Sequence, residues 1–136
     1  MKAVGPDIHR NQLIYQRDVV SRQDFERGDD LAQAVALSAF ALARNPDTVV
    51  AIWTPIKELA AFDTFLGDLE DAAGDAAMMA AQVRLRPLTD PMKLNGCAMV
   101  VINPTAGLAI RSRVIVDWVA LVAGEVGALG RVDGFQ

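Results

Sequence analysis

A chain of 136 residues is the size of one domain, and an apolar share of 52% against 22% charged supplies enough surface for a core, which excludes a disordered tail. Thirteen Lys and Arg against seventeen Asp and Glu leave a formal charge of −4, which argues against an extended basic face gripping nucleic-acid phosphates. One cysteine, Cys97, and one histidine, His9, exclude an internal disulfide framework and a His/Cys zinc site, so no metal is expected.

Residues 1–18 form a poorly patterned N-terminal segment in which only Leu13-Ile14-Tyr15 reads as a short strand, and residues 19–136 read as a single α/β domain. The start has no apolar h-region of a secretory signal, and Asp117 and Glu125 interrupt the longest apolar helical stretch. A soluble, cytoplasmic chain with no membrane association is expected.

Val19-Val20 begins the patterned text. Leu31, Ala34, Val35, Ala39 and Leu42 then recur at helical spacing, with Asp30 and Gln33 as a capping box and Asn45-Pro46 stopping the helix near Arg44. Val49-Val50-Ala51-Ile52-Trp53 is unbroken by a polar residue, the pattern of a strand buried on both faces at the centre of a parallel sheet. Thr54 can cap the next helix and Pro55 suits its first turn. Leu59, Phe62, Leu66, Leu69 and Ala73 make that helix's apolar stripe, and Gly74 is its C′ residue.

From Ala80 the period becomes two: Ala81, Val83 and Leu85 alternate with Gln82, Arg84 and Arg86, which predicts a strand wet on one face. A loop with Asp90-Pro91 and Asn95-Gly96 leads to the apolar strand Cys97–Ile102, which ends at Asn103-Pro104. Ile110, Val114, Trp118, Leu121 and Val122 trace a strongly apolar helix, and Arg131 to Phe135 reads as a last strand. The alternation predicts an α/β sheet with helices on both faces, its first βαβ pairs parallel and right-handed.

In such sheets ligands lie beyond the carboxyl ends of strands. Trp53-Thr54-Pro55 and Asn103-Pro104-Thr105 stand at two strand ends, and both also read as plain turn chemistry of proline. The succession Ala51-Ile52-Trp53-Thr54-Pro55-Ile56-Lys57, a helix, a strand, and Leu94-Asn95-Gly96-Cys97-Ala98-Met99-Val100-Val101-Ile102-Asn103-Pro104 resembles the C-terminal half of the RlmJ-like family. These are bacterial 23S rRNA adenine-N6 methyltransferases with the words A-L-W-Y-P-[IV]-K and L-x-G-[SC]-G-[ML]-[IV]-V-[IV]-N-P-P-W. In element order the resemblance covers residues 19 to 133.

The resemblance implies half of a Rossmann-like class I methyltransferase sheet, mixed in strand direction, with S-adenosylmethionine as cofactor and RNA as an open partner. No glycine-rich turn with an acidic residue downstream precedes Val49, so the cofactor-holding first half is missing. Counting back from Trp53 at the family's spacing puts its catalytic tetrad, Asp-Pro-Pro-[Tyr/Phe], on Arg22-Gln23-Asp24-Phe25, followed by Glu26. Phe25 and Glu26 agree with the family, and Asp24 and Phe25 are the candidate catalytic residues. An alternative alignment uses Asp18-Val19-Val20, which restores an aspartate without the prolines or the aromatic.

In such a site the acid or amide side chain and a backbone carbonyl accept hydrogen bonds from the exocyclic amine while the aromatic ring stacks the flipped base. Arginine at the acceptor position has only donors, so the autonomous site is incomplete. Asn103 reads as a structural turn residue whose amide serves neighbouring backbone. Trp53 and Trp118 read as core anchors, Cys97 as a small buried hydrophobe and His9 as exposed. Arg84, Arg86, Lys93, Arg111 and Arg113 are candidates for a modest phosphate-binding patch.

Three functional classes are open, of which a complete small enzyme of unrelated chemistry has no support in the polar residues. Of the remaining two, one is a partial, degenerate methyltransferase relative that needs a cofactor-binding partner chain or another copy of itself. The other is a catalytically silent binding or scaffold module acting as a homo-oligomer. A half-sheet leaves an open strand edge and apolar helix faces, so the chain should dimerise or dock.

Overall fold

The computed structural model of the chain describes residues 29–89 and 92–135. Seven elements follow in order: α1 (Asp29–Arg44), β1 (Val50–Ile56), α2 (Leu59–Ala73), β2 (Met78–Arg84), β3 (Gly96–Ile102), α3 (Leu108–Ala123) and β4 (Leu129–Phe135). The chain divides into two compact units, Met1–Leu37 and Ser38–Gln136, with the boundary inside α1. The sheet belongs to the second unit. The expected strand at Val19-Val20 lies outside the described residues.

α1 stops at Arg44 as its Asn45-Pro46 boundary requires. The Asn45 amide N–H still donates to the Ala41 carbonyl (3.0 Å), and its side-chain Oδ1 then accepts from the Asp47 N–H (3.0 Å) in an Asx turn. The helix begins at Asp29, so Asp30 lies inside it rather than at its cap. Helix ends commonly differ from sequence signals by a residue or two.

The strand order is β1-β3-β2-β4, and every neighbouring pair is antiparallel. This corrects the expected parallel pairing. β1 and β2 point the same way, but β3 returns between them and pairs with both. Strand–helix alternation sets direction but not adjacency, and the loop after β2 is long enough to bring a third strand into the gap. β1 is therefore an edge strand among the described residues. It also runs on through Thr54 and Pro55 to Ile56, so Pro55 is a strand residue and α2 starts at Leu59 after an extended Glu58. A proline is tolerated at a sheet edge, where a missing donor breaks no ladder on the open side.

β2 is central and is buried along six of its seven residues, so it does not wet one face as its alternation suggested. Its odd residues Met79, Ala81 and Val83 form one core with Val101 of β3 and Val116 of α3, flanked by Leu85, Leu108, Val119, Ala120 and Val132. Each large side chain buried in this way contributes roughly 1.5–3 kcal/mol. α3 sits so close to β4 that a Cβ on Gly130 would stand 2.7 Å from the Val116 carbonyl carbon. Its even residues Met78, Ala80 and Gln82 are buried on the other face with Ala98, Val100 and Ile102 of β3 and Thr54 and Ile56 of β1. Phe62, Phe65 and Leu69 are the buried side of α2; Phe65 takes the place expected of Leu59, which is exposed.

α3 forms where expected, with its apolar faces inverted. Ile110, Val114, Trp118, Leu121 and Val122 are all exposed, and the sheet is met by Val116 instead. Neither tryptophan is a core anchor: Trp53 is 48% exposed and Trp118 61%.

Candidate functional site

β1 and β2 share a carboxyl end, and the chain is knotted there by Asn95, which is fully buried. Its backbone N–H donates to the Ile56 carbonyl (3.1 Å), its Nδ2 donates to the Lys57 carbonyl (2.9 Å), and its own carbonyl accepts the Leu85 N–H (2.8 Å). One residue, through its side chain and its backbone, thus joins the end of β1, the exit of β2 and the entry of β3. Gly96 follows because a Cβ there would strike the Val83 carbonyl oxygen.

The basic candidates are distributed unevenly about this knot. Arg84, Arg86 and Lys93 lie at the carboxyl end, together with Lys57, which sequence reasoning passed over although it closes the Ile56-Lys57 word. Arg84 Nε donates to Gln82 Oε1 (3.3 Å). Arg86 is held most firmly: Nε and Nη2 donate to Glu125 Oε2 (3.1 and 3.0 Å), and Nη1 donates to the Leu94 carbonyl. Lys93 is exposed. The other two candidates are on α3. Arg113 pairs with Asp117 (3.7 Å) and donates to the Gly130 carbonyl (3.4 Å), whereas Arg111 lies against Gly107 at the start of the helix. Gly130 is the ladder partner of Val83, so Arg113 reaches the strand beside Arg84.

At the opposite end of the sheet Asn103 is a structural residue. Its Nδ2 donates to the carbonyls of Pro46 (2.8 Å) and Thr48 (2.9 Å), and its N–H donates to the Ala77 carbonyl (2.8 Å). Cys97 is half-buried. Asp24 and Phe25, the catalytic candidates, and His9 lie outside the described residues.

A nucleotide cofactor of the expected kind needs a glycine turn between a strand and a helix. Among the described residues, β1 passes to α2 through Lys57-Glu58, and β3 passes to α3 through a turn with a single glycine, Gly107, where an added Cβ would stand 3.3 Å from Arg111 Nη1. A single glycine is not a glycine-rich turn, and these residues do not fit S-adenosylmethionine. Among the described residues no group of three or more His, Cys, Asp or Glu side chains could hold a metal, and no helix is long and apolar enough to cross a membrane.

Among the described residues, the sheet face over β1 that α3 shares is only partly covered. Trp53 and its register partner Met99 are 48% and 41% exposed, and Ala51 beside them is exposed. On the same face α3 packs mainly on β2 and β4, with Val101 of β3 reaching the same core.

The family model described as "Ribosomal RNA large subunit methyltransferase D, RlmJ" matches residues 10–132. Among solved structures the chain is similar to protein LPL1258 from Legionella pneumophila str. Philadelphia 1, with a TM-score of 0.70 and 15% identity. The match covers 80% of this chain and 40% of that one, and at this identity it shows the fold. No curated protein matches.

Proposed function

Because the chain belongs to the RlmJ family of ribosomal RNA large subunit methyltransferases, we propose that it is the distal, cofactor-less part of an S-adenosylmethionine-dependent rRNA adenine-N6 methyltransferase sheet. It works in the cytoplasm with a partner chain that holds the cofactor. The observation that carries this reading is the sheet: among the described residues β1 is an edge strand, and Met99 of β3 and Ala51 of β1 are exposed on the face that α3 packs against. A run as apolar as Val49 to Trp53 belongs inside a wider sheet. The basic groups at the carboxyl end, Lys57, Arg84 and Lys93, would then meet RNA phosphates, with Arg86 holding the loop that presents them.

Two titrations test this. Alone, the chain should show no saturable binding of S-adenosylmethionine up to about 1 mM, where any site would be worth only ~4 kcal/mol. It should bind an rRNA fragment with an affinity that falls as salt rises, and Lys93→Ala should lower the salt slope by about one. Saturable cofactor binding by the chain alone would overturn the partner requirement, and failure to bind RNA at low salt would overturn the substrate-side role. The second reading, a silent module acting through homo-oligomerisation, is favoured by one separate feature, the exposed apolar side of α3.

A further inference from the structure

α3 has two apolar faces, and the fold uses one. Val116, with Leu108, Val119 and Ala120, meets the sheet. On the far side Ile110, Val114, Trp118 and Leu121 stand in line, 75%, 66%, 61% and 82% exposed, with Ile115 and Val122 beside them. At 1.5 Å per residue this stripe runs about 17 Å along the helix. A helix that is apolar all round is ordinarily buried all round, and contiguous apolar patches on a protein surface mark association sites.

We propose that the stripe is the contact between two copies of this chain, with α3 lying antiparallel on α3 of the partner across a two-fold axis near Ile115 and Val116. The charges beside the stripe select this occupant and this direction. Arg113 and Asp117 flank it on one side, 3.7 Å apart within the helix. The axis that sets Ile110 against the partner's Leu121 and Val114 against the partner's Trp118 also sets Arg113 against the partner's Asp117, and Asp117 against the partner's Arg113. Every pair is centred within one residue of the same point. A parallel two-fold arrangement would instead put Arg113 and the partner's Asp117 on opposite sides of the contact, where they could not pair. The surface is complementary to itself, as an isologous two-fold contact requires. The inference makes no use of cofactor or RNA binding, so it stands or falls separately from the methyltransferase reading.

Sedimentation equilibrium of the full chain from about 1 to 100 µM tests it, the range in which a modest two-helix contact would be populated. The wild type should dimerise. Trp118→Lys, and independently Val114→Lys, should leave a monomer over this range with an unchanged circular dichroism spectrum, since both positions face water in the single chain. Arg113→Asp or Asp117→Arg alone should weaken the dimer by about three- to tenfold, and an equimolar mixture of the two variants should associate at least as tightly as the wild type. A monomeric wild type overturns the proposal, including one that covers α3 only with a different polypeptide. So does a dimer indifferent to Trp118→Lys, and so does a mixture no tighter than either variant alone.

Discussion

Asn103 at the end of β3 holds Thr48 at the approach to β1: its Nδ2 donates to the Thr48 carbonyl at 2.9 Å while its own backbone sits at φ 58°. Asparagine is one of the few non-glycine residues that adopt this left-handed conformation at low cost. The position thus needs both an amide donor and a tolerant backbone. Asn103→Gly keeps the backbone and loses the donor, and should cost about 1 kcal/mol; Asn103→Ala loses both and should cost about 2 kcal/mol. Asn103→Asp should be worst, because a carboxylate would face two carbonyls. Urea denaturation reads all three. A set of variants as stable as the wild type would remove the structural role.

Asn95 holds the opposite end of β1, through the Lys57 carbonyl. β3 therefore begins and ends on asparagines that grip the two ends of its neighbour. Asn95 is fully buried, so its loss cannot be made good by water. Asn95→Leu, close in volume, should destabilise by about 2–3 kcal/mol, more than any of the variants of half-buried Asn103 except Asn103→Asp. It should also loosen the loop that carries Arg86 and Lys93, seen as faster amide exchange at Leu85.

These two residues show what was legible in the sequence. Asn103 was readable as a turn residue because Asn-Pro after an apolar run has one common meaning, and the strands and helices were readable from period and punctuation. Which strands are neighbours was not. Val49 to Trp53 reads as a strand buried on both sides because its apolar run suits a wider sheet, yet among the described residues it is an edge whose Trp53 faces solvent. Likewise the spacing of Ile110, Val114 and Trp118 defines a helix and a stripe, but α3 is apolar on two sides, and only packing against Gly130 decides that Val116 points inward. Asn95 and Lys57 were present in the quoted words, but nothing in their spacing indicates that one would bind the carbonyl of the other.

Arg86 and Glu125 tie the exit of β2 to the α3–β4 loop, where the Glu125 N–H also donates to the Leu85 carbonyl at 2.7 Å. Glu125 is well exposed, so a double-mutant cycle on Arg86→Ala and Glu125→Ala should return a coupling of only about 0.5 kcal/mol, falling further in high salt. Arg86→Ala alone should cost more than Glu125→Ala, because Arg86 also donates to the Leu94 carbonyl. A coupling of several kcal/mol, insensitive to salt, would contradict a solvent-screened pair.

Three glycines should respond to alanine in opposite directions. Gly67 lies exposed in the middle of α2 with no atom within 4 Å of an added Cβ, so Gly67→Ala should stabilise by about 0.5–1 kcal/mol through helix propensity and a less flexible unfolded chain. At Gly96 the Cβ would press on the Val83 carbonyl oxygen, and at Gly130 it would press on the Val116 backbone at 2.7 Å. Both obstacles are main chain inside paired elements and cannot swing aside. Gly96→Ala and Gly130→Ala should each cost about 2–4 kcal/mol, by overpacking and by parting β3 from β2 or α3 from β4. Thermal unfolding of the three variants gives the ranking, and an unharmed Gly130→Ala would mean that α3 stands farther from the sheet than Val116 requires.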